Sequence, residues 1–282
     1  MRVLITGAAG QLGTELVEVF GRAGHDVIPT THASLDIVDA SAVNRLVGEV
    51  RPDWIIHGAA WTAVDACESD PERASAVNGG GTRNIVSAAE RVGARVLYVS
   101  TDYVFDGNKA GAYVESDVPN PQSIYGSSKL EGERAMRPND LVVRISWVCG
   151  YHGGNMVKTI LRLAATNPTL SFVDDQVGHP TFADDAARAM LGLVEAGLAG
   201  TFHVTNAGAV SWYEFAREVL RAAGEDPDRV KPIATSDLQP PRPARRPANS
   251  VLDNAALRAA GLPALDDFRV PLERLVSRLM AD

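Results

Sequence analysis

Tyr125 and Lys129, four residues apart in the run YGSSK, are the side chains of this 282-residue chain best suited to proton chemistry. Spaced in this way they project from one helical face and can serve one ligand. A free phenol has a pKa of about 10 and transfers protons poorly at neutral pH, but a nearby ammonium lowers it into a useful range. The spacing alone is common on ordinary surface helices. Its context makes it informative. Ser100-Thr101-Asp102 closes an apolar run over residues 95–99 that reads as a buried strand. Open α/β sheets bind their ligands at such carboxyl ends. From there Thr101 can hydrogen-bond a carbonyl and hold it beside Tyr125.

A second candidate site lies at Gly7-Ala8-Ala9-Gly10-Gln11-Leu12-Gly13, between an apolar run at 3–5 and a helical pattern over 12–22. Glycine permits the tight turn and lets backbone approach a pyrophosphate closely. The helix N-terminus then turns unpaired amides and its positive dipole end towards the phosphates. We read Gly7, Gly10 and Gly13 as a dinucleotide site. Their spacing of three and three, instead of two and three, points to a subclass of Rossmann enzymes. After the second apolar run no acid precedes Asp36 to hold ribose hydroxyls, and no Arg or Lys demands an extra phosphate. NADP is therefore permitted without being required, and we read NADPH with NADH left open.

The elements that must position these residues follow a regular alternation. Strand-like runs at 3–5, 26–29, 54–57, 95–99 and 141–145 alternate with helical patterns at 12–22, 40–50, 71–92 and 127–137. Strands that are apolar throughout and separated by helices form a parallel sheet covered on both faces. Right-handed crossovers make it doubly wound. The expected fold is α/β, a Rossmann-type parallel sheet with a smaller C-terminal substrate lobe. Residues 1–148 and 172–206 are assigned to the dinucleotide-binding domain, and 149–171 and 207–282 to the lobe. Helical patterns at 155–165, 184–195 and 212–223 and strand patterns at 170–173 and 201–204 complete the expectation. The stretch 227–249, rich in proline and arginine, reads as an ordered substrate-side loop or a linker.

The formal net charge of −8 disfavours a nucleic-acid partner. It says little against a small phosphorylated ligand held by backbone amides. No apolar stretch is long enough to span a bilayer, and the N-terminus lacks a signal-peptide core. Cys67 and Cys149 match no metal spacing and read as free thiols of a cytoplasmic protein.

The glycine turn, the strand-end Ser/Thr and the downstream Tyr/Lys pair, in that order, resemble the extended short-chain dehydrogenase/reductase superfamily. There the tyrosine is the acid/base, the lysine lowers its pKa and holds the nicotinamide ribose, and the Ser/Thr completes the site. The resemblance assigns these catalytic roles to Tyr125, Lys129 and Thr101. Longer segments resemble one family within it, the dTDP-4-dehydrorhamnose reductases. They are GQLGTEL (10–16), LDI (35–37), AAWTAVD (59–65), STDYVFDG (100–107), YGSSKLEGE (125–133), ISWV (145–148), DDQVGHPT (174–181) and RPANSVLD (246–253).

Membership would imply cofactor contacts at Gly10, Gln11, Leu12, Asp36, Ile37, Ala59, Ala60, Thr62 and Tyr103, beside Gly7, Gly13, Tyr125 and Lys129. Thr101, Asp102, Tyr125 and Trp147 would surround the sugar. Arg246 reads as a nucleotide contact or a surface cation, Pro180 as a site-shaping residue or turn punctuation, and Trp147 as ligand wall or core. Gly58 and Trp61 depart from the family pattern on the nicotinamide side. Some relatives hold magnesium at a dimer interface through glutamates. Glu15 matches one of these and no others are identifiable, so a metal is not assigned.

The implied activity is NAD(P)H-dependent reduction of the C4 ketone of a dTDP-linked deoxysugar, by an enzyme that is a homodimer in this family. Alternatives are a ketoreductase for another nucleotide-linked deoxysugar and a non-enzymatic subunit resembling the methionine adenosyltransferase β subunit. The intact Thr101, Tyr125 and Lys129 set argues against the second.

Overall fold

The computed structural model describes residues 1–281. The chain begins with β1 (Arg2–Thr6), α1 (Gln11–Arg22), β2 (Asp26–Thr30), α2 (Ala40–Val50) and β3 (Trp54–His57). Next come the short helices α3 (Val64–Ser69) and α4 (Pro71–Ala74). A π-helical turn, Ser75–Gly80, joins α4 to α5 (Gly81–Val92), and β4 (Arg95–Thr101), α6 (Ile124–Arg134) and β5 (Leu141–Ile145) follow. Beyond it lie β6 (Val148–Cys149), α7 (Met156–Ala164), β7 (Leu170–Val173), β8 (Val177–Gly178), β9 (Thr181–Phe182), α8 (Ala183–Glu195) and β10 (Gly200–His203). The chain ends with β11 (Val210–Ser211), α9 (Trp212–Ala222), β12 (Val230–Ile233), α10 (Ala255–Ala259) and α11 (Arg269–Ala281).

Six strands form one parallel sheet in the order β10-β5-β4-β3-β1-β2. This is the doubly wound Rossmann-type arrangement read from the alternation. Successive strand residues face opposite sides. Val3, Ile5, Trp54, Ile56, Leu97 and Val99 pack with α1 and α8, whereas Leu4, Ile55 and Val96 pack with α2 and α5. Because β1 lies between β2 and β3, the chain leaves it in one direction and crosses back, opening a crevice at the carboxyl ends of β1 and β3. A separate apolar core joins α7, α9 and α11 to β7 and β12 through Ile160, Phe172, Phe215, Val230, Phe268 and Leu272.

Local chemistry explains where the elements depart from the sequence reading. Helix α6 starts at Ile124, ahead of 127, because the Ser123 hydroxyl accepts the Gly126 amide at 3.1 Å and caps it. Tyr125 is thereby inside the first turn. Strand β12 lies within the stretch read as a loop. It pairs in parallel only with β7, an edge arrangement that tolerates Pro232. Helices α3 and α11 were not signalled by periodicity.

Candidate active site

The crevice begins at the glycine turn. Gly7 has φ +72°, and a Cβ there would stand 2.8 Å from the Ala59 amide nitrogen. A Cβ on Gly13 would stand 2.0 Å from the Gly7 carbonyl oxygen, so α1 packs directly on the turn. Gly10 caps α1 without a side-chain hydrogen bond, which leaves the first amides of this 12-residue helix free to face a ligand. Leu12 packs against the sheet core. Gln11 is turned into the protein: its Nε2 donates to Val148 O at 2.9 Å and its Oε1 accepts from Asn155 at 2.8 Å.

Further along the crevice, Asp36 is exposed and accepts the Val38 amide at 3.0 Å. Ile37 is buried against α5, where a Cβ on Gly81 would come within 2.6 Å of it. Ala59 donates its amide to the Thr6 hydroxyl at 3.2 Å, and Thr6 meets His57 Nδ1 at 2.7 Å. Burial, reinforced by the Lys129 charge, lowers His57 to about 3, so it is a neutral strut here. Ala60 and Thr62 flank Trp61, whose backbone is gripped at both ends by Asn78, at 2.8 Å and 3.1 Å. Asn78 also donates to Ser128 on α6 at 2.9 Å. It sits in the π-helical turn, a distortion often found at functional sites. The sequence reading missed it, although a lone asparagine amid small and apolar helical residues was the available signal.

Thr101 ends β4, and the buried Tyr125 faces it from α6. Burial raises the phenol well above its ordinary pKa, with the Thr101 hydroxyl pulling the other way through a hydrogen bond. Tyr103 meets Tyr125 edge to face at 5.4 Å. Asp102 is also buried. One carboxylate oxygen accepts from Thr101 at 3.0 Å, and the other has no partner among the described residues. Burial pushes this carboxyl up to about 6, opposed by the nearby Ser250 and Thr101 hydroxyls.

Lys129 lies on the same helix one turn on, but its amine is directed inward. It donates to Val99 O at 2.7 Å and stands 4.1 Å from the Tyr98 ring centroid. Burial lowers it to about 7, opposed by Glu133. The sequence reading had Lys129 lowering the Tyr125 pKa. Burial dominates the phenol, because the amine is engaged by Val99 O and the Tyr98 ring. Beneath it Glu133 accepts from Ser100 at 2.5 Å and forms a buried ion pair with Arg144 at 2.6 Å. These residues pin α6 to β4 and β5.

Trp147, just beyond β5, has φ +45°, a left-handed conformation that is strained for a bulky residue. It stacks on Trp212 at 3.6 Å with the planes 9° apart. A Cβ on Gly178 would stand 2.7 Å from it. His179 O accepts the Ser146 hydroxyl at 2.6 Å, so the segment containing Pro180 packs against the end of β5. Arg246 reaches the same rim from the 227–249 stretch and pairs with Asp65 at 2.9 Å. It also borders a cavity of about 400 Å³, shared with Arg242, Arg245, Gln176, Thr235 and Asn108. Trp212, Asn78 and Asp65 were not among the expected site residues.

Glu15 lies away from this cleft. Burial, and next Asp184, raise its carboxyl, while His152 Nε2 stands at 3.8 Å and Arg278 opposes the shift. Among the described residues no three His, Cys, Asp or Glu side chains cluster to hold a metal.

Comparison with known proteins gives a consistent picture. Residues 1–281 match the family described as RmlD substrate binding domain. A dTDP-4-dehydrorhamnose reductase of Streptomyces griseus is 43% identical, over 96% of this chain and 91% of the relative. A dTDP-4-keto-6-deoxy-D-glucose reductase of Streptomyces niveus is 38% identical, over 100% and 98%. The crystal structure of the Bacillus anthracis dTDP-4-dehydrorhamnose reductase in complex with NADP has a TM-score of 0.94 at 38% identity, over 98% of this chain and 99% of that one.

Proposed function

The chain belongs to the RmlD substrate binding domain family of dTDP-4-dehydrorhamnose reductases, and from that premise we propose how its cleft reduces the C4 ketone of dTDP-4-dehydro-L-rhamnose (dTDP-4-dehydro-6-deoxy-L-mannose) to dTDP-L-rhamnose. It is an NADPH-dependent oxidoreductase. The observation that carries the mechanism is a buried phenol at Tyr125 facing the Thr101 hydroxyl at the carboxyl end of the sheet.

Gly7, Gly10, Gly13 and the α1 N-terminus would hold the pyrophosphate, with Gln11 and Leu12 shaping the turn. Asp36 and Ile37 would border the adenosine half. Ala59, Ala60, Thr62, Tyr103 and Lys129 would border the nicotinamide half. Bound NADPH supplies the hydride. Thr101 would turn its single hydroxyl proton from Asp102 to the ketone oxygen and so orient the substrate. Tyr125 then gives its proton to the oxygen as negative charge develops there, a role that needs the phenol protonated beforehand, as burial keeps it. Lys129, one helical turn from Tyr125, would hold the nicotinamide ribose and support the phenol.

Asp102, with one unpaired carboxylate oxygen, would accept a sugar hydroxyl, and Trp147 would wall the ring. Arg246 and the cavity beside it would take the nucleotide, so that binding energy remote from the ketone fixes its orientation. We assign residues 1–148 and 172–206 to the cofactor domain and 149–171 and 207–282 to the substrate lobe. We further assign a homodimer in a reducing cytoplasm, where the buried Cys67 and Cys149 stay free.

The Streptomyces niveus relative favours one second reading, a ketoreductase for another dTDP-deoxysugar. Following NADPH consumption across a panel of dTDP-4-keto-deoxysugars tests both. The main reading expects fastest turnover with dTDP-4-dehydro-L-rhamnose. It also expects a Tyr125→Phe enzyme that binds NADPH but loses about 10²–10⁴ in rate. Full activity of that variant would overturn the mechanism, and a different preferred sugar would overturn the substrate.

A further inference from the structure

We propose that Asp65 is a positioning residue for the substrate: it anchors residues 239–247 across the mouth of the cleft and holds Arg246 ready for the diphosphate of the nucleotide sugar. The role of Arg246 rests on the function proposed above; the anchoring does not. Asp65 belongs to the first turn of α3, which follows the loop after β3. One of its carboxylate oxygens accepts the Ala244 amide at 3.2 Å and Arg246 Nη1 at 3.0 Å. The other accepts Arg246 Nη2 at 2.9 Å and lies 3.6 Å from Arg242. A bidentate pair of this kind fixes the guanidinium plane as well as its position. Arg246 Nη1 also donates to Ala244 O at 3.2 Å, folding the loop backbone and the guanidinium into one unit.

The rest of the loop has little else to hold it. Between Lys231 and Asn249, Ala244 is the one buried residue. Among the described residues, 239–247 hydrogen-bond to the remainder of the chain through Ala244 and Arg246 alone. The Arg246 guanidinium also lies close to the Tyr103 hydroxyl, and Tyr103 packs on Tyr125. The anchor thus sets the height of the loop above the reacting phenol. Because Asp65 holds backbone together with guanidinium, its effect is to preorganise the loop and not merely to compete for a cation. Fixing a loop beforehand lowers the ordering cost of binding.

The test uses two independent readouts on the full-length protein. Arg242 and Arg246 each precede a proline, so within the loop only the Arg245–Arg246 bond is open to trypsin. In Asp65→Ala, cleavage there should accelerate about tenfold, as expected when a charge-assisted anchor is lost. With dTDP-4-dehydro-L-rhamnose, KM should rise about tenfold while kcat stays within about twofold and NADPH affinity is unchanged. Adding Asp65→Ala to Arg246→Ala should raise KM little further. Wild-type cleavage kinetics in the variant would overturn the anchor. A lowered KM would show that Asp65 competes with the diphosphate, and would overturn the positioning role. If Asp65→Ala fails to fold, Asp65→Asn is held to the same outcomes. Absence of turnover by the wild-type enzyme would overturn the substrate and the diphosphate role, while the cleavage rate still decides the anchor.

Discussion

Replacing Lys129 with methionine should make this protein more stable and less active. Lys129 is 3% exposed, and burial takes its amine from 10.5 to about 7. At about 1.36 kcal/mol for each pH unit, that difference makes the charged amine cost the folded state about 4–5 kcal/mol. The unfolded chain keeps the proton until its ordinary pKa, whereas the folded chain releases it near 7. Between about pH 7 and about pH 10 the unfolded state therefore binds more protons, and stability rises with pH across that window. Below it the full cost persists. Methionine removes the charge at similar length. It forfeits the Val99 hydrogen bond and the Tyr98 ring contact and leaves a carbonyl unpaired, together about 2–3 kcal/mol. A net gain of about 2 kcal/mol near neutral pH remains, or about 4–8 °C in Tm. Urea unfolding of both proteins at about pH 6 and about pH 9 reads this directly, and the difference between them isolates Lys129 from other titrating groups. A variant less stable than wild type at the lower pH would refute the reasoning. So would a stability difference that does not narrow as the pH is raised.

Two further substitutions probe the frame around the site. Glu133→Ala leaves the Arg144 guanidinium, with its side chain 5% exposed, buried and unpaired, and should cost about 3–5 kcal/mol in denaturant unfolding; a loss below about 1 kcal/mol would show the pair to be dispensable. Gly13→Ala places a methyl 2.0 Å from the Gly7 carbonyl and must move α1 off the turn, so calorimetry should show NADPH affinity falling at least about tenfold, and unchanged affinity would contradict the packing.

Much of the sheet was legible because its strands are apolar on both faces and separated by helices of clear period. The glycine turn was legible because the backbone there admits no Cβ. Thr101 and Tyr125 could be found because a strand end and a helix start carry them. What the sequence did not reveal depends on contacts between distant segments. Asn78 matters because a π-helical turn aims it at both Trp61 and Ser128. The direction of the Lys129 amine is fixed by Val99 O and the Tyr98 ring, neither of which its helical spacing reveals. Trp147 is held left-handed by Trp212, from a helix 65 positions on in the chain. Strand β12 was hidden because its partner β7 supplies the pairing that local propensity, with Pro232, argues against.

The central claim is hydride addition at the C4 ketone with proton delivery from Tyr125. NADPH deuterated at the transferring position of the nicotinamide, incubated with the enzyme and dTDP-4-dehydro-L-rhamnose, tests it most directly by NMR of the product. The expected result is dTDP-L-rhamnose carrying deuterium at sugar C4 alone, with no labelled product from Tyr125→Phe on the same timescale. Label at another carbon, or equal labelling by the phenylalanine variant, would contradict it.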